Sequence, residues 1–228
     1  KHAQCSLNRP ASTRIPTRLI NVSEKASRKI FLCETVSWEA QQTECSRYIA
    51  LSHPWGDEKS NDHFCTTSKN IRDRVENGIL VDNLPDTFKH AVKVTKELGI
   101  QYLWIDSLCI IQGDDGDFKD EAQHMESVFS SAYCVIAASR ATGTSAGFLR
   151  KRRDRKFVKL EIPPGNPFYI CEAIDDFQQD VIDGALNKRG WVLQERALAR
   201  RTIYFTETQT YWECGGGVRC ETLTKMKK

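Results

Sequence analysis

The sequence predicts an α/β fold: a parallel sheet flanked by helices, with an added β-hairpin and helix insertion. Two observations carry this. Short runs of consecutive apolar residues, at 48–52, 100–105 and 133–138, read as strands buried on both faces. Between them, apolar residues recur at helical spacing: Leu84, Phe88, Ala91, Val92, Thr95 and Leu98, then Phe118, Ala122, Met125, Phe129 and Ala132. Strand–helix–strand alternation of this kind belongs to parallel sheets covered by helices.

The elements follow in order. Residues 1–16 are polar with two prolines and read as a mobile lead-in; residues 17–228 read as one domain. Residues 18–22 and 29–33 read as short strands of an added hairpin. Residues 48–52 form a strand stopped by Pro54 and Gly56, and a helix is expected near 68–77. Pro85 suits the first turn of the next helix and Gly99 its end. The strand at 100–105 ends at Asp106. Residues 112–118, with two glycines and three aspartates, read as a mobile loop. After the strand at 133–138 the rhythm breaks. Residues 140–187 read as an insertion: a loop with the basic run 150–156, a hairpin at 157–162 and 168–173, and a helix near 174–186. A helix carrying Trp191 and Glu195 follows, then strands at 202–207 and 210–214.

Bulk properties exclude some classes. Apolar content of 40% with 28% charged residues is that of a globular chain. A net charge of +3 is too small to imply nucleic-acid binding. No apolar run reaches the roughly 18–20 residues that span a bilayer. Nine scattered cysteines, an odd number without a CxxC pair, suggest reduced thiols, a cytoplasmic setting and no metal centre. The chain opens on Lys1 and its first methionine is Met125, so an excised piece with missing adjacent domains is expected.

Polar and aromatic residues gather at the expected element ends. Trp191 and Glu195, four apart on one helix, share a face. They are either a packing anchor with a solvated acid or the wall of a pocket for a cation. Glu195 could instead pair with Arg189 or Arg196. Ser52 and His53 end one strand, with Trp55 close by; they mark a pocket edge or simply a turn. Asp106 and Ser107 end another strand, where Asp106 either binds substrate or holds the following backbone. Ser107 and Cys109 lack the glycine elbow of a nucleophile. The basic run is a solvated face or a phosphate-binding one.

Three motifs in this order resemble the HET domain, the heterokaryon-incompatibility module of filamentous fungi. They are Tyr48 to Gly56 (Tyr-Ile-Ala-Leu-Ser-His-Pro-Trp-Gly), Leu103 to Gln112 (Leu-Trp-Ile-Asp-Ser-Leu-Cys-Ile-Ile-Gln), and Arg189 to Glu195 (Arg-Gly-Trp-Val-Leu-Gln-Glu). His53 replaces the usual Tyr. The resemblance covers roughly 17–221 and implies a TIR-like, flavodoxin-like parallel sheet. It also implies that Glu195, in a Trp-to-Glu spacing similar to that of enzymatic TIR domains, is the catalytic residue of NAD+ cleavage.

The expected function is therefore a cytoplasmic cell-death effector of incompatibility or innate immunity that hydrolyses NAD+ when self-associated. Glu195 is catalytic. Ser52, His53, Trp55, Asp106, Ser107, Arg189 and Trp191 bind substrate. NAD+ is a substrate and no further cofactor is implied. The partners are further copies of the chain and an incompatibility partner or missing domain, with no nucleic acid and no membrane span. The alternative is a non-catalytic signalling module acting by homotypic association.

Overall fold

Strand β3 (Tyr48–Ser52), buried along its whole length, is the centre of the architecture. The computed structural model describes residues 14–23, 28–35, 47–56, 64–152, 156–161, 165–221 and 225–226. Before β3 come β1 (Arg18–Asn21) and β2 (Lys29–Glu34), an antiparallel hairpin. After it come β4 (Thr66–Thr67), α1 (Ile71–Glu76), β5 (Ile79–Leu80) and α2 (Asp86–Glu97). Pro85 precedes α2, and Gly99, at φ +68°, follows it in the left-handed conformation that ends many helices. Phe88, Ala91, Val92 and Thr95 form its buried face.

Next are β6 (Tyr102–Trp104), the one-turn α3 (Asp106–Cys109), β7 (Ile111–Gln112), α4 (Phe118–Ala122), α5 (Met125–Ser131) and β8 (Cys134–Ala137). The hairpin β9 (Phe157–Leu160) and β10 (Phe168–Cys171) stands as a separate two-stranded sheet. Then come α6 (Gly190–Leu198) and the strands β11 (Arg201–Phe205), β12 (Thr210–Cys214), β13 (Gly217–Cys220) and β14 (Lys225–Met226).

The fold is mixed α/β around a ten-stranded mixed sheet of order β14-β13-β12-β11-β8-β3-β6-β1-β2-β5. The β6–β3, β3–β8 and β8–β11 contacts are parallel. All contacts outside them are antiparallel, so the sheet is mostly antiparallel and the expected parallel sheet is corrected. For strands consecutive in the chain the cause is connection length; β1 against β6 and β2 against β5 are antiparallel without a short connection. Neighbouring strands joined by a few residues must run antiparallel, and only a long crossover returns a strand parallel. The β1–β2 hairpin extends one edge in this way and the C-terminal meander the other. The last two strands of that meander carry no apolar run and were not anticipated.

Two other expectations are revised. The stripe from Phe118 to Ala132 is broken at Gln123–His124. The His124 ring takes the Asp120 carbonyl at 2.8 Å, while its main-chain N–H turns to Glu121 at 2.9 Å. The region near 174–186 is a π-helical turn at Gln178–Ile182 and a 3-10 turn at Leu186–Lys188. At Gly184 between them, an added Cβ would lie 2.9 Å from the Asp180 carbonyl. Only glycine fits that close approach. Phe177, Val181 and Leu186 pack with Val192, Tyr204 and Tyr211 in a second, smaller core. The lead-in at 1–13 and residues 153–155 of the basic run lie outside the described residues. Of that run, Arg152 pairs with Glu221 at 2.6 Å.

Candidate functional site at the carboxyl ends of the buried strands

The buried strands deliver their polar ends to one place. Apolar β3 ends at Ser52, followed by His53, both buried. After β6, Asp106 is the first residue of the one-turn α3, and its carboxylate accepts the Ser107 main-chain N–H at 2.7 Å. Its other oxygen accepts the Trp55 indole N–H at 2.7 Å. The His53 Nδ1 lies 3.9 Å from Asp106 Oδ1, too far for a hydrogen bond. Arg189, just ahead of α6, donates to the His53 carbonyl at 2.7 Å. That bond ties the helix carrying Glu195 to the end of β3.

His53, Trp55, Asp106, Arg189 and Glu195 line one cavity of about 200 Å³. Ser52 stands behind it, beside Glu195. Ser107 is buried and does not line it. Trp191 opens α6, and its side chain lies outside the described residues. Apart from Gln112 the remaining walls are apolar: Leu51, Trp104, Phe118, Ala122, Met125, Phe129 and Val192 among them. Trp104 and Phe129 pack edge to face, with centroids 5.7 Å apart. Sequence reasoning assigned the Phe118, Ala122, Met125 and Phe129 stripe to core packing. Periodicity marks an apolar face but not what that face borders. A phenylalanine directly after a polar, glycine-rich loop, as Phe118 is, was the available signal.

The loop expected to be mobile is tied at several points. Ile111 N–H donates to Asp117 Oδ1 at 2.8 Å, and Asp117 pairs with Arg18 at 2.5 Å. Ser68 donates to Asp115, and β7 pairs with β4. Gln112 and Phe118, at the ends of the loop, sit on the cavity.

Electrostatics sets the two titrating groups apart. Burial pushes the Glu195 carboxyl up to about 7; the Ser52 hydroxyl and Arg189 pull it down, and the Asp106 charge pushes it further up. The Ser52 contact falls short of a well-formed hydrogen bond, because Ser52 Oγ and Glu195 Oε2 are both buried without a partner. Burial depresses the His53 imidazole below its ordinary range, against the pull of Asp106 and with the help of Arg189. His53 is therefore neutral near pH 7, and both its ring nitrogens are unpartnered. Burial also pushes the Cys109 thiol up to about 12, which makes it a poor nucleophile. Unmet hydrogen-bonding capacity is costly in an interior. Its concentration around one cavity is what a polar ligand site requires. Among the described residues, no group of three or more His, Cys, Asp or Glu is placed to hold a metal ion. No helix among them is long and apolar enough to cross a membrane.

Fold and site together define a mixed α/β domain with an acidic, apolar-walled pocket at the carboxyl ends of its parallel strands. Residues 48–195 match the family described as heterokaryon incompatibility protein (HET), and the chain belongs to that family. No curated protein and no solved structure gives a significant match.

Proposed function

We propose that this HET domain is a cell-death effector of heterokaryon incompatibility that hydrolyses NAD+ to nicotinamide and ADP-ribose when self-associated. The observation that carries this reading is the buried Glu195 carboxylate facing an apolar-walled cavity, with Asp106 as a second carboxylate on the same cavity. Such a cavity favours a flat ring bearing positive charge. The bond between nicotinamide and ribose breaks with its electron pair going to the ring nitrogen, so the pyridinium leaves neutral and needs no acid. Water then supplies oxygen to the ribosyl carbon and releases one proton. The enzyme's task is to stabilise the positive ribosyl centre and to orient the ribose, which one ionised carboxylate can do. Glu195 has that role, with Ser52 and Asp106 orienting and Trp55 or Trp191 stacking on the ring.

Further support comes from topology. The parallel strands run β6-β3-β8-β11, second-first-third-fourth in chain order, as in flavodoxin-like sheets, and the fit to a TIR-like core rests on that order. In such sheets ligands sit outside the carboxyl ends, where the strand order reverses at β3. Pockets for whole drug-sized ligands run about 300–1,000 Å³. A cavity of about 200 Å³ therefore takes the nicotinamide end alone, leaving the remaining Arg189 donors for the phosphates outside.

The test is incubation of concentrated protein with NAD+, followed by chromatography for nicotinamide. Release by the wild type and none by a folded Glu195→Ala variant is the expected outcome. Equal turnover by both removes Glu195 from the chemistry, and none by either at any concentration removes the enzymatic reading. The exposed apolar hairpin favours a second reading, a non-catalytic module acting by homotypic association. It predicts that Glu195→Ala retains biological function.

A further inference from the structure

We propose that the β9–β10 hairpin is a self-association surface that pairs, edge to edge along β10, with the same hairpin of a second copy of this chain. Phe157, Val158, Leu160, Phe168, Tyr169 and Ile170 are each between 42% and 61% exposed. All eight residues of the two strands are exposed. Monomers scatter exposed apolar residues singly; a contiguous set of this kind marks an interaction site. A two-stranded hairpin is marginal alone in water and gains stability from further strands.

The register decides which partner fits. Leu160 pairs with Phe168 and Val158 with Ile170, so one face of the ribbon is wholly apolar. The other face pairs Lys159 with Tyr169 and Phe157 with Cys171. Edges of natural sheets are usually guarded by charge or proline. Strand β9 has such a guard in Lys159, which is paired with Glu161. Strand β10, Phe168-Tyr169-Ile170-Cys171, has neither charge nor proline. Pairing β10 with itself, antiparallel and centred on Tyr169, sets Phe168 of one copy opposite Ile170 of the other. No like charges meet across that seam. The two apolar faces join into one, and a two-fold axis closes the pair without propagating it.

A bilayer fits less well. In hydrocarbon the open strand edges would leave main-chain groups unpaired, at several kcal/mol each. Charge does not decide between a bilayer and a second copy, since the basic run 150–156 precedes β9 and Glu172, Asp175 and Asp176 follow β10. Strands of four residues bury far less than the ~800 Å² per partner of a standard interface. The pair is accordingly weak and forms at high local concentration. This surface rests on the self-association in the proposed function and not on its NAD+ chemistry.

Sedimentation of the full 228-residue chain over a concentration series tests it. The wild type and Glu195→Ala should shift reversibly from monomer to dimer, and Ile170→Lys should stay monomeric with an unchanged melting temperature. A second readout fixes the register. In a Cys171→Ser background, Tyr169→Cys should give a disulfide-linked dimer under mild oxidant, and Lys159→Cys should not. A wild-type monomer at every concentration, a dimer indifferent to Ile170→Lys, or cross-linking equal at both positions overturns the proposal. So does a monomer that binds phosphatidylserine vesicles through Ile170. A dimer that releases no nicotinamide would overturn the chemistry and leave the surface standing.

Discussion

The Arg189 guanidinium donates to the main-chain carbonyl of His53 at 2.7 Å, across 136 positions of sequence. This single bond couples the start of the Glu195 helix to the end of the central strand. A hydrogen bond to a charged group contributes about 1.5–3 kcal/mol, less where solvent reaches it. Arg189→Ala should therefore lower stability by about 1 kcal/mol, since the arginine is itself exposed, while lowering NAD+ turnover at least tenfold. Denaturant melts and turnover on the same preparations separate the effects. A stability loss without a turnover loss would reduce Arg189 to a tether.

Burial is the main cause that raises the Glu195 carboxyl, and the like charge of Asp106 adds to it. Asp106→Asn removes that push, so the Glu195 pKa should fall. If the ionised carboxylate is the active form, the acid limb of kcat/KM moves to lower pH in the variant. The maximum should fall as well, because the Trp55 indole loses a charged acceptor. A limb that moves upward, or stays in place, contradicts the assigned roles.

Stability should carry the signature of the same carboxyl. Glu195 titrates near 7 in the folded chain against its usual 4.5. Between those values the folded state holds more protons than the unfolded state, so stability falls as pH rises from about 4.5 to 7 and is flat above. At 1.36 kcal/mol per unit the loss is at most about 3 kcal/mol, less where water reaches the cavity. His53 works in the opposite direction. Its depressed value adds stability above its unfolded range that is lost as pH falls. Wild-type melts mix the two slopes. The difference between wild type and Glu195→Gln isolates the first, and Glu195→Gln should be the more stable above pH 7. A difference constant across pH 4–8 would show that Glu195 is solvated.

How much was legible depended on the kind of pattern. The three buried strands at 48–52, 102–104 and 134–137 stood out because short continuous apolar runs between polar or turn-forming residues have few other readings. Several polar residues that line the cavity were visible as polar ends of those runs or as helix partners: His53, Asp106, Arg189 and Glu195. Sheet direction beyond the core was not visible. It depends on connection lengths and on strands such as β13, whose Gly-Val-Arg-Cys has no strand signature. The unpartnered atoms of His53 and Ser52 were likewise out of reach, since satisfaction is a property of packing and not of spacing.

The helical stripe from Phe118 to Phe129 shows that limit and yields a test. Phe118 is 52% exposed at the cavity and Phe129 is 2% exposed beneath it. Phe129→Ala should cost about 3–5 kcal/mol as a core deletion. Phe118→Ala should cost under about 1 kcal/mol and raise KM for NAD+ severalfold with kcat nearly unchanged. Equal stability costs for the two would place both in the core and remove Phe118 from the site.

The last expectation concerns the loop between β7 and α4. Residues 112–118 look mobile by composition, yet Asp117 accepts the Ile111 N–H and pairs with Arg18, which also donates to the Cys109 carbonyl at 3.0 Å. Arg18 is nearly buried, so removing its partner leaves a desolvated charge, and such losses run to about 3–5 kcal/mol in full burial. Asp117 is partly exposed, which brings the expected cost of Asp117→Asn to about 2 kcal/mol. Hydrogen exchange should accelerate at Ile111 and in the turn 113–117, and remain slow in β3. Because Gln112 and Phe118 sit on the cavity, turnover should fall through KM. Unchanged exchange at Ile111 in Asp117→Asn would mean that the β4–β7 pairing alone holds the loop, and the mouth of the cavity would then be rigid without the arginine.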